Sequence, residues 1–588
     1  MPTDPPSKPA VVRPAAFDRG FARRLWRLTR IYWTSADAKR GGLLLGLAVT
    51  LELATVLAQV LLSDAQRRIF DSLQLMDAPG FFGAIGVFLG IVLAFVATST
   101  FRIYVRQIVE VRWREHLTAH FLESWIGPRA YCQDKLHHNE TDNPDQRVAE
   151  DVREYVASAL GLSLSLLSAV VTLASFGGLL WSLSGEWAVT IGSVELRIPG
   201  LMLWVAILYA VFATWLTHRV GRVLVPINFD RQRVEADFRF GLVRFRENVE
   251  GVAFAQGEEW VRRNALGQFR RIVENWWKLI GAQRNLTLLT TGTGEVNGVI
   301  PLLVAAPAYF AGQLTLGGVT QTRIAYGQVS GALSWVVSAY QEIARWRASV
   351  ERLSSFAEVM QRTADEVEAA HRIRIERGPT HDLEIEDLRV ELPDGKPLVS
   401  LTAKVAPGER VALLGPLGTG KTALLRAIAG LWPFGSGRIE LPEKARVFFL
   451  PARPFLPIGT LREAVAFPSP PDAFPDDKIA EALRLVGLGY LSERLGEIQH
   501  WEQLLSAGEE QRIGIARTFL HEPDWILLDD ATAGLDAPAE RRVYDLLRER
   551  LPHSTVISLA HRAELARFHD RHWTLSPGPR GGPARLMA

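Results

Sequence analysis

The 588-residue sequence contains a single cysteine, Cys132. That excludes an intramolecular disulfide and any cysteine-rich metal site, and leaves a free thiol. Net charge is also nearly absent. The 66 basic and 64 acidic residues leave +2 at pH 7, so there is no global electrostatic attraction for nucleic acid. Met1 to Pro14 is proline-rich and lacks an apolar stretch, so the start does not read as a cleavable signal peptide. Apolar residues at 48% and charged residues at 22% exclude disorder, collagen or coiled coil as a description of the whole. The length has room for roughly two to four domains. One figure is out of line: a mean hydropathy of +0.07 is high for so many charges, and an average can conceal segregation.

The apolar residues are indeed segregated. The first half carries six runs of membrane-spanning length, about 20 residues each. They are Gly41 to Ser63, about Gly80 to Val105, Val156 to Leu183, Gly200 to Thr217, Leu286 to Gly312, and Ile324 to Ile343; the last two are less apolar. Arg19, Arg23, Arg24, Arg27, Arg30, Lys39 and Arg40 precede the first run, and arginines crowd the long segments after the second and fourth. The positive-inside rule then puts both termini in the cytoplasm. Arg67 and Arg68 fall on the outer side and run against it. Phe17 to Trp33 mixes arginine with aromatics at helical spacing and reads as an interfacial helix. The segments 106–155 and 219–284 show helical periodicity, which predicts that membrane helices continue into the cytoplasm. Residues 1–16 are expected to be disordered and 17–371 to form the membrane domain. Residues 372–381 read as a linker, 382–576 as a soluble domain, and 577–588 as an unstructured tail.

The soluble domain carries the chemistry. Gly415, Pro416, Leu417, Gly418, Thr419, Gly420, Lys421 and Thr422 fit G-x-x-x-x-G-K-[ST] in full, after an apolar strand and before a helix. Such a loop wraps phosphates with backbone N–H groups at a helix N-terminus. Lys421 is placed to reach the β/γ-phosphates and Thr422 to ligate Mg²⁺. Trp525 to Leu528 is an apolar strand ending in Asp529 and Asp530. Asp529 suits a Mg²⁺ shell, and Asp530 the polarising of an attacking water.

With Leu505-Ser-Ala-Gly-Glu509, Ala533-Gly-Leu-Asp536 and a histidine, His561, after a further strand, the domain resembles the ATP-binding cassette (ABC) family. The order GPLGTGKT, LSAGEEQR, ILLDD, AGLD carries that resemblance. It implies ATP and Mg²⁺ as ligands. It also implies a signature of Ser506, Ala507, Gly508 and Glu509 acting on ATP held by another subunit, a D-loop residue Asp536 and a switch histidine His561. The implied fold is an α-helical six-span transmembrane domain of the exporter type plus an α/β P-loop nucleotide-binding domain. One cassette per chain implies a half-transporter that pairs with a second copy or with a related half-transporter.

Three positions depart from the family pattern. Ala452 stands where related cassettes carry the Q-loop glutamine. Asp530 replaces the usual glutamate and is shorter by one methylene, a loss of reach on the order of 1 Å, which can cost about 100-fold in rate. Leu392 stands where an aromatic would stack on adenine. A slow ATPase homodimer and a degenerate subunit of a heterodimer are both consistent with this set.

Asn143 to Val152 (NPDQRVAEDV), Glu247 to Glu259 (ENVEGVAFAQGEE) and Leu450 to Ala464 resemble elements of the BacA/SbmA-related transporters and of the peroxisomal ABCD group. That resemblance implies uptake of peptides or other hydrophilic compounds, antimicrobial peptides among them, across a bacterial inner membrane. The ABCD relatives imply acyl-CoA or lipid as an alternative. Glu52 in the first run and Glu295 in the fifth are candidates to line a cargo cavity, because intramembrane acids face a cavity or a partner. Glu295, in the polar stretch Thr290 to Gly298, would suit a cationic peptide or a proton. A proton-coupled carrier with a regulatory cassette is therefore a further expectation.

Overall fold

Apolar segments of this length satisfy their backbone in a bilayer only as helices or closed barrels. In the computed structural model they are helices. It describes residues 19–127, 143–184, 186–191, 194–369, 373–559, 563–578 and 582–587. These divide into two units, one largely of residues 19–123 and 143–357, the other largely of residues 358–587.

The first unit begins with α1 (Arg19–Trp33), which buries Phe21, Leu28 and Tyr32 and exposes Trp26. Long helices follow: α2 (Ala38–Gln74), α3 (Ala78–Ile126) and α4 (Pro144–Ser184). In α4 a π-helical turn occupies Arg147–Asp151. An antiparallel hairpin, β1 (Glu186–Ile191) and β2 (Val194–Pro199), lies between two spans. Then come α5 (Leu201–Gly221), α6 (Leu224–Glu247), α7 (Val249–Phe254) and α8 (Glu258–Phe310). The periodic segments after the second and fourth runs do continue as helix, in α3 and α6.

Among the described residues, five helical runs are long and apolar enough to cross a membrane. The expected sixth, Ile324 to Ile343, is divided between α9 (Leu316–Leu333) and α10 (Trp335–Ala369), broken at Ser334. Its low hydropathy has a packing cause. α9 presents Gly317, Gly318, Gln321, Thr322 and Ser330 to the unit's interior, and small residues there let backbones approach. Gly317 lies against the Arg67 carbonyl, with no room for a Cβ. Asp71 and Gln74 of α2 accept from the first N–H groups of α9, at 3.0 and 2.7 Å.

The second unit is built on a ten-stranded sheet. Its elements are β3 (Ile373–Gly378), β4 (Leu383–Glu391), β5 (Pro397–Val405), β6 (Arg410–Leu414), α11 (Lys421–Ile428), β7 (Gly435–Pro442) and β8 (Val447–Leu450). They continue as α12 (Leu461–Ala466), α13 (Asp476–Leu485), α14 (Ala507–His521), β9 (Trp525–Leu528), α15 (Ala537–Arg550), β10 (Thr555–Leu559), β11 (Arg571–Ser576) and β12 (Ala584–Met587). Strand order is β3-β7-β4-β5-β12-β11-β6-β10-β9-β8. The run β11-β6-β10-β9-β8 is parallel, whereas β4 pairs antiparallel with both β5 and β7. Parallel strands read as continuous apolar runs because both faces are covered; β9 and β10 are buried at every position. One core packs α11 against the sheet around Trp573, and another gathers α13, α14 and α15 around Trp501.

Two boundaries are corrected. Residues 373–378, expected as linker, form an edge strand paired with β7. Residues 584–587, expected as unstructured tail, pair with β11 and β5. Both were hidden by flanking glycine, proline and arginine: β3 pairs at the sheet edge, and β12, though inside the sheet, is only four residues long.

Candidate functional site

The carboxyl ends of parallel strands are where open α/β sheets bind ligands, and β6 delivers the glycine-rich loop there. Gly415, Gly418 and Gly420 have φ of 144°, 80° and 84°, a region that favours glycine. A Cβ on Gly420 would meet Val399 Cγ2 at 2.7 Å. Thr419 Oγ1 closes the loop onto the Pro416 carbonyl at 2.8 Å, and Leu417 is exposed at its tip. Lys421 opens α11. Its buried Nζ donates to the carbonyls of Gly415 and Pro416, each at 2.8 Å. Burial lowers its pKa, and the Asp530 charge pulls the other way. Thr422 Oγ1 donates to Asp529 Oδ1 at 3.1 Å. Two hard oxygen donors side by side, next to a lysine, fit a Mg²⁺ bound to a phosphate chain.

Asp530 follows with φ 55°, a left-handed conformation that Asp tolerates better than most residues. Its carbonyl is held by a residue that the reading of motifs passed over. Gln511, buried on α14, donates from Nε2 to Ala452 O at 2.8 Å and to Asp530 O at 3.5 Å. Its Oε1 accepts from Gly534 N at 2.8 Å. One side chain thus fastens the helix after the signature to the segment lacking the Q-loop glutamine, to the catalytic candidate and to the AGLD turn. The signal was present in LSAGEEQR, but nothing in spacing says which way a glutamine points.

Ser506 is the N-cap of α14 in a capping box with Glu509. The Glu509 carboxylate accepts from Ser506 N and Oγ, each at 2.8 Å. A hydrogen bond from Tyr490, then those from Ser506, hold Glu509 below the usual carboxylate range. Ser506 and Ala507 face outward, and a Cβ on Gly508 would meet the Gly534 carbonyl at 3.0 Å. Asp536 caps α15 by accepting from Ala539 N at 2.9 Å. Leu392 sits half-buried in the turn after β4, with Trp432 donating to the adjacent Glu391 carbonyl at 2.9 Å. That indole is an aromatic beside the Leu392 turn that the motifs do not mark. His561 lies outside the described residues. His569 is buried on Ser558 and the Leu565 carbonyl, and burial lowers its pKa; that environment is structural.

In the membrane unit, Glu52 is 4% exposed and its carboxylate receives Arg102 Nη1 at 2.8 Å on both oxygens. It lines a cavity with Arg102 and Arg106. Glu295 does not. It is exposed on α8, whereas the neighbouring polar cavity is lined by Tyr209, Thr293, Asn297 and Ser330. A helix turns adjacent residues through about 100°, which puts Glu295 on a face of α8 that is exposed in the single chain. In the NPDQRVAED segment, buried Asp151 accepts from Arg147 at 3.0 Å and from Arg352 Nε at 2.8 Å.

Comparison with known proteins agrees with this geometry. Residues 28–310 match the ABC transporter transmembrane region 2 family, and residues 398–533 match the ABC transporter family. An uncharacterized ABC transporter ATP-binding protein of Synechocystis is 35% identical over 91% of this chain and 81% of its own. The inner membrane ABC transporter ATP-binding protein YddA of Escherichia coli is 32% identical over 91% of this chain and 94% of its own. The chloroplastic ABC transporter D family member 2 of Arabidopsis thaliana is 30% identical over 93% of this chain and 85% of its own.

Proposed function

From the premise that this chain belongs to the ABC transporter family, as a half-transporter with a membrane region fused to a cassette, we propose that it works as a homodimer moving peptides or other hydrophilic compounds across a bacterial inner membrane. The chain is a multi-pass membrane protein and a transport-coupled ATPase, with ATP as its nucleotide and Mg²⁺ as the usual partner. The Thr422–Asp529 contact beside Lys421 is the observation that carries the reading.

In this reading Lys421 leaves its loop carbonyls for the β/γ-phosphates. Thr422 and Asp529 would hold Mg²⁺, which when bound would supply positive charge beside the phosphates. Asp530 orients water, and Leu392 gives adenine an apolar face. Outward-facing Ser506 and Ala507, with Gly508 and Glu509, act on the ATP of a second copy, and Asp536 and His561 complete the shared site. Six spans, with α9 and the start of α10 as the protein-lined sixth, put both termini in the cytoplasm. The polar lining at Glu52 supports a hydrophilic cargo. Likeness to ABCD proteins supports cargo with an acyl chain as a second reading.

Phosphate release by the purified chain alone tests this. Turnover is expected, slow because of Asp530 and Ala452. Zero turnover restored by adding a second half-transporter would sink the homodimer.

A further inference from the structure

The cavity at Glu52 has a volume of about 360 Å³ and lies among α2, α3, α4, α9 and α10. Its lining is polar from Glu52, midway along the first span, to Arg106 at the cytoplasmic end of the second, and polar lining within a span is expensive enough to mark a path or site. Its charge balance has a sign: Arg102 and Arg106 against Glu52 leave one positive charge in excess. The geometry of the pair points the same way. Glu52 takes both its hydrogen bonds from the single Nη1 of Arg102, whereas Arg102 Nε is buried with no hydrogen-bond partner. A guanidinium carries five donors in a planar fork that matches an oxyanion, and Glu52 uses one edge of it. Arg106, one turn further along α3, lines the same space and makes no ion pair among the described residues. The wall itself is interrupted: Trp335, the first residue after the break at Ser334, lines the cavity and donates to Ser165 Oγ at 3.1 Å. Broken helices at membrane depth occur where they line a cavity.

We propose that this cavity takes an anionic group of the cargo, a carboxylate or a phosphate, on Arg102 and Arg106, with Glu52 as the resident counterion that orients Arg102. The proposal rests on the transporter reading and names the charge that reading leaves open. Glu52 also limits the affinity: two arginines alone would hold an anion too firmly to release it, and passage needs binding strong enough to enter and weak enough to leave.

The test is fluorescence anisotropy on the full chain in nanodiscs, without nucleotide, using one water-soluble labelled tripeptide in three forms. These carry a free C-terminal carboxylate, a C-terminal amide, or a phosphoserine with a C-terminal amide. The carboxylate and phosphate forms are expected to bind about tenfold or more tighter than the amide, and their order says which anion the site prefers. Arg106→Gln, at an exposed position, should cut that preference several-fold. The Glu52→Gln/Arg102→Gln double variant removes the pair together, so no uncompensated charge is left to unfold the unit, and with only Arg106 left it should also cut the preference several-fold. Equal affinity of the three forms for the native chain, absent binding included, or a preference undiminished in both variants, overturns the proposal. ATP hydrolysis by the same nanodiscs separates the two readings: hydrolysis without anion preference removes this inference alone.

Discussion

The cassette and the membrane unit bury charge in opposite ways. In the cassette, buried cations rest on backbone carbonyls. Lys421 sits on Gly415 and Pro416. Arg517 donates to the carbonyls of Phe455 and Ala464 at 2.8 and 3.0 Å, with burial pushing its pKa down to about 10. In the membrane unit, buried acids are paired with arginines: Glu52 with Arg102 and Asp151 with Arg352 across helices, and Asp151 also with Arg147 one turn away on the same helix. A backbone carbonyl is a neutral partner that a phosphate can displace, so Lys421 is poised for an anionic ligand. A full ion pair instead locks two helices together and is costly to break on one side only.

The largest break in this comparison is Lys421→Ala. It removes the cation meant for the phosphates, and hydrolysis is expected to fall by about 100-fold or more, measured as phosphate release. A rate near that of the unaltered chain would mean that the loop carbonyls, and no nucleotide, are the partners Lys421 serves. Next is Gln511→Ala. Its loss leaves the Gly534 N–H and the Ala452 and Asp530 carbonyls short of a partner, a stability cost of about 1–3 kcal/mol if they stay dry. Shifting Asp530 by a fraction of an ångström is expected to slow hydrolysis on the order of tenfold. Gln511→Glu should do as badly, since a carboxylate cannot donate to Ala452 O. A full rate in both variants would show that water replaces the side chain.

The two units also differed in how far they could be read. The loop from Gly415 to Thr422 is local: eight consecutive residues contain both the turn geometry and the lysine, so the motif carried its own structure. The same holds for Ser506 and Glu509, a capping box spaced by three. Glu52 and Arg102 are 50 residues apart and Asp151 and Arg352 are 201 apart, so their pairing depends on how helices rotate and slide past each other. Hydropathy says that a helix exists but leaves open which residue faces which neighbour. The sixth run reads weakly for that reason, because α9 is buried by protein and is under no demand to be apolar. Which way Glu295 faces depends in the same way on rotation within α8, a helix that hydropathy locates without fixing its faces.

Arg352→Ala sharpens the contrast with the smallest effect. Asp151 keeps Arg147, and the Arg352 side chain is 41% exposed, so the loss should be about 1–2 kcal/mol and no more. It is read as a lowered thermal transition of the full chain. Asp151→Asn in the same background should recover part of it, because the carboxylate left with one partner is gone. The double variant is then more stable than the sum of the single losses predicts, a positive coupling between contacting residues. Hydrolysis without cargo should change little in either, since neither residue touches the nucleotide site. If Arg352→Ala instead left the transition in place but abolished the acceleration of hydrolysis by cargo, the Asp151 cluster would be a moving joint between states, and the distinction between locked membrane pairs and displaceable cassette contacts would fail at that point.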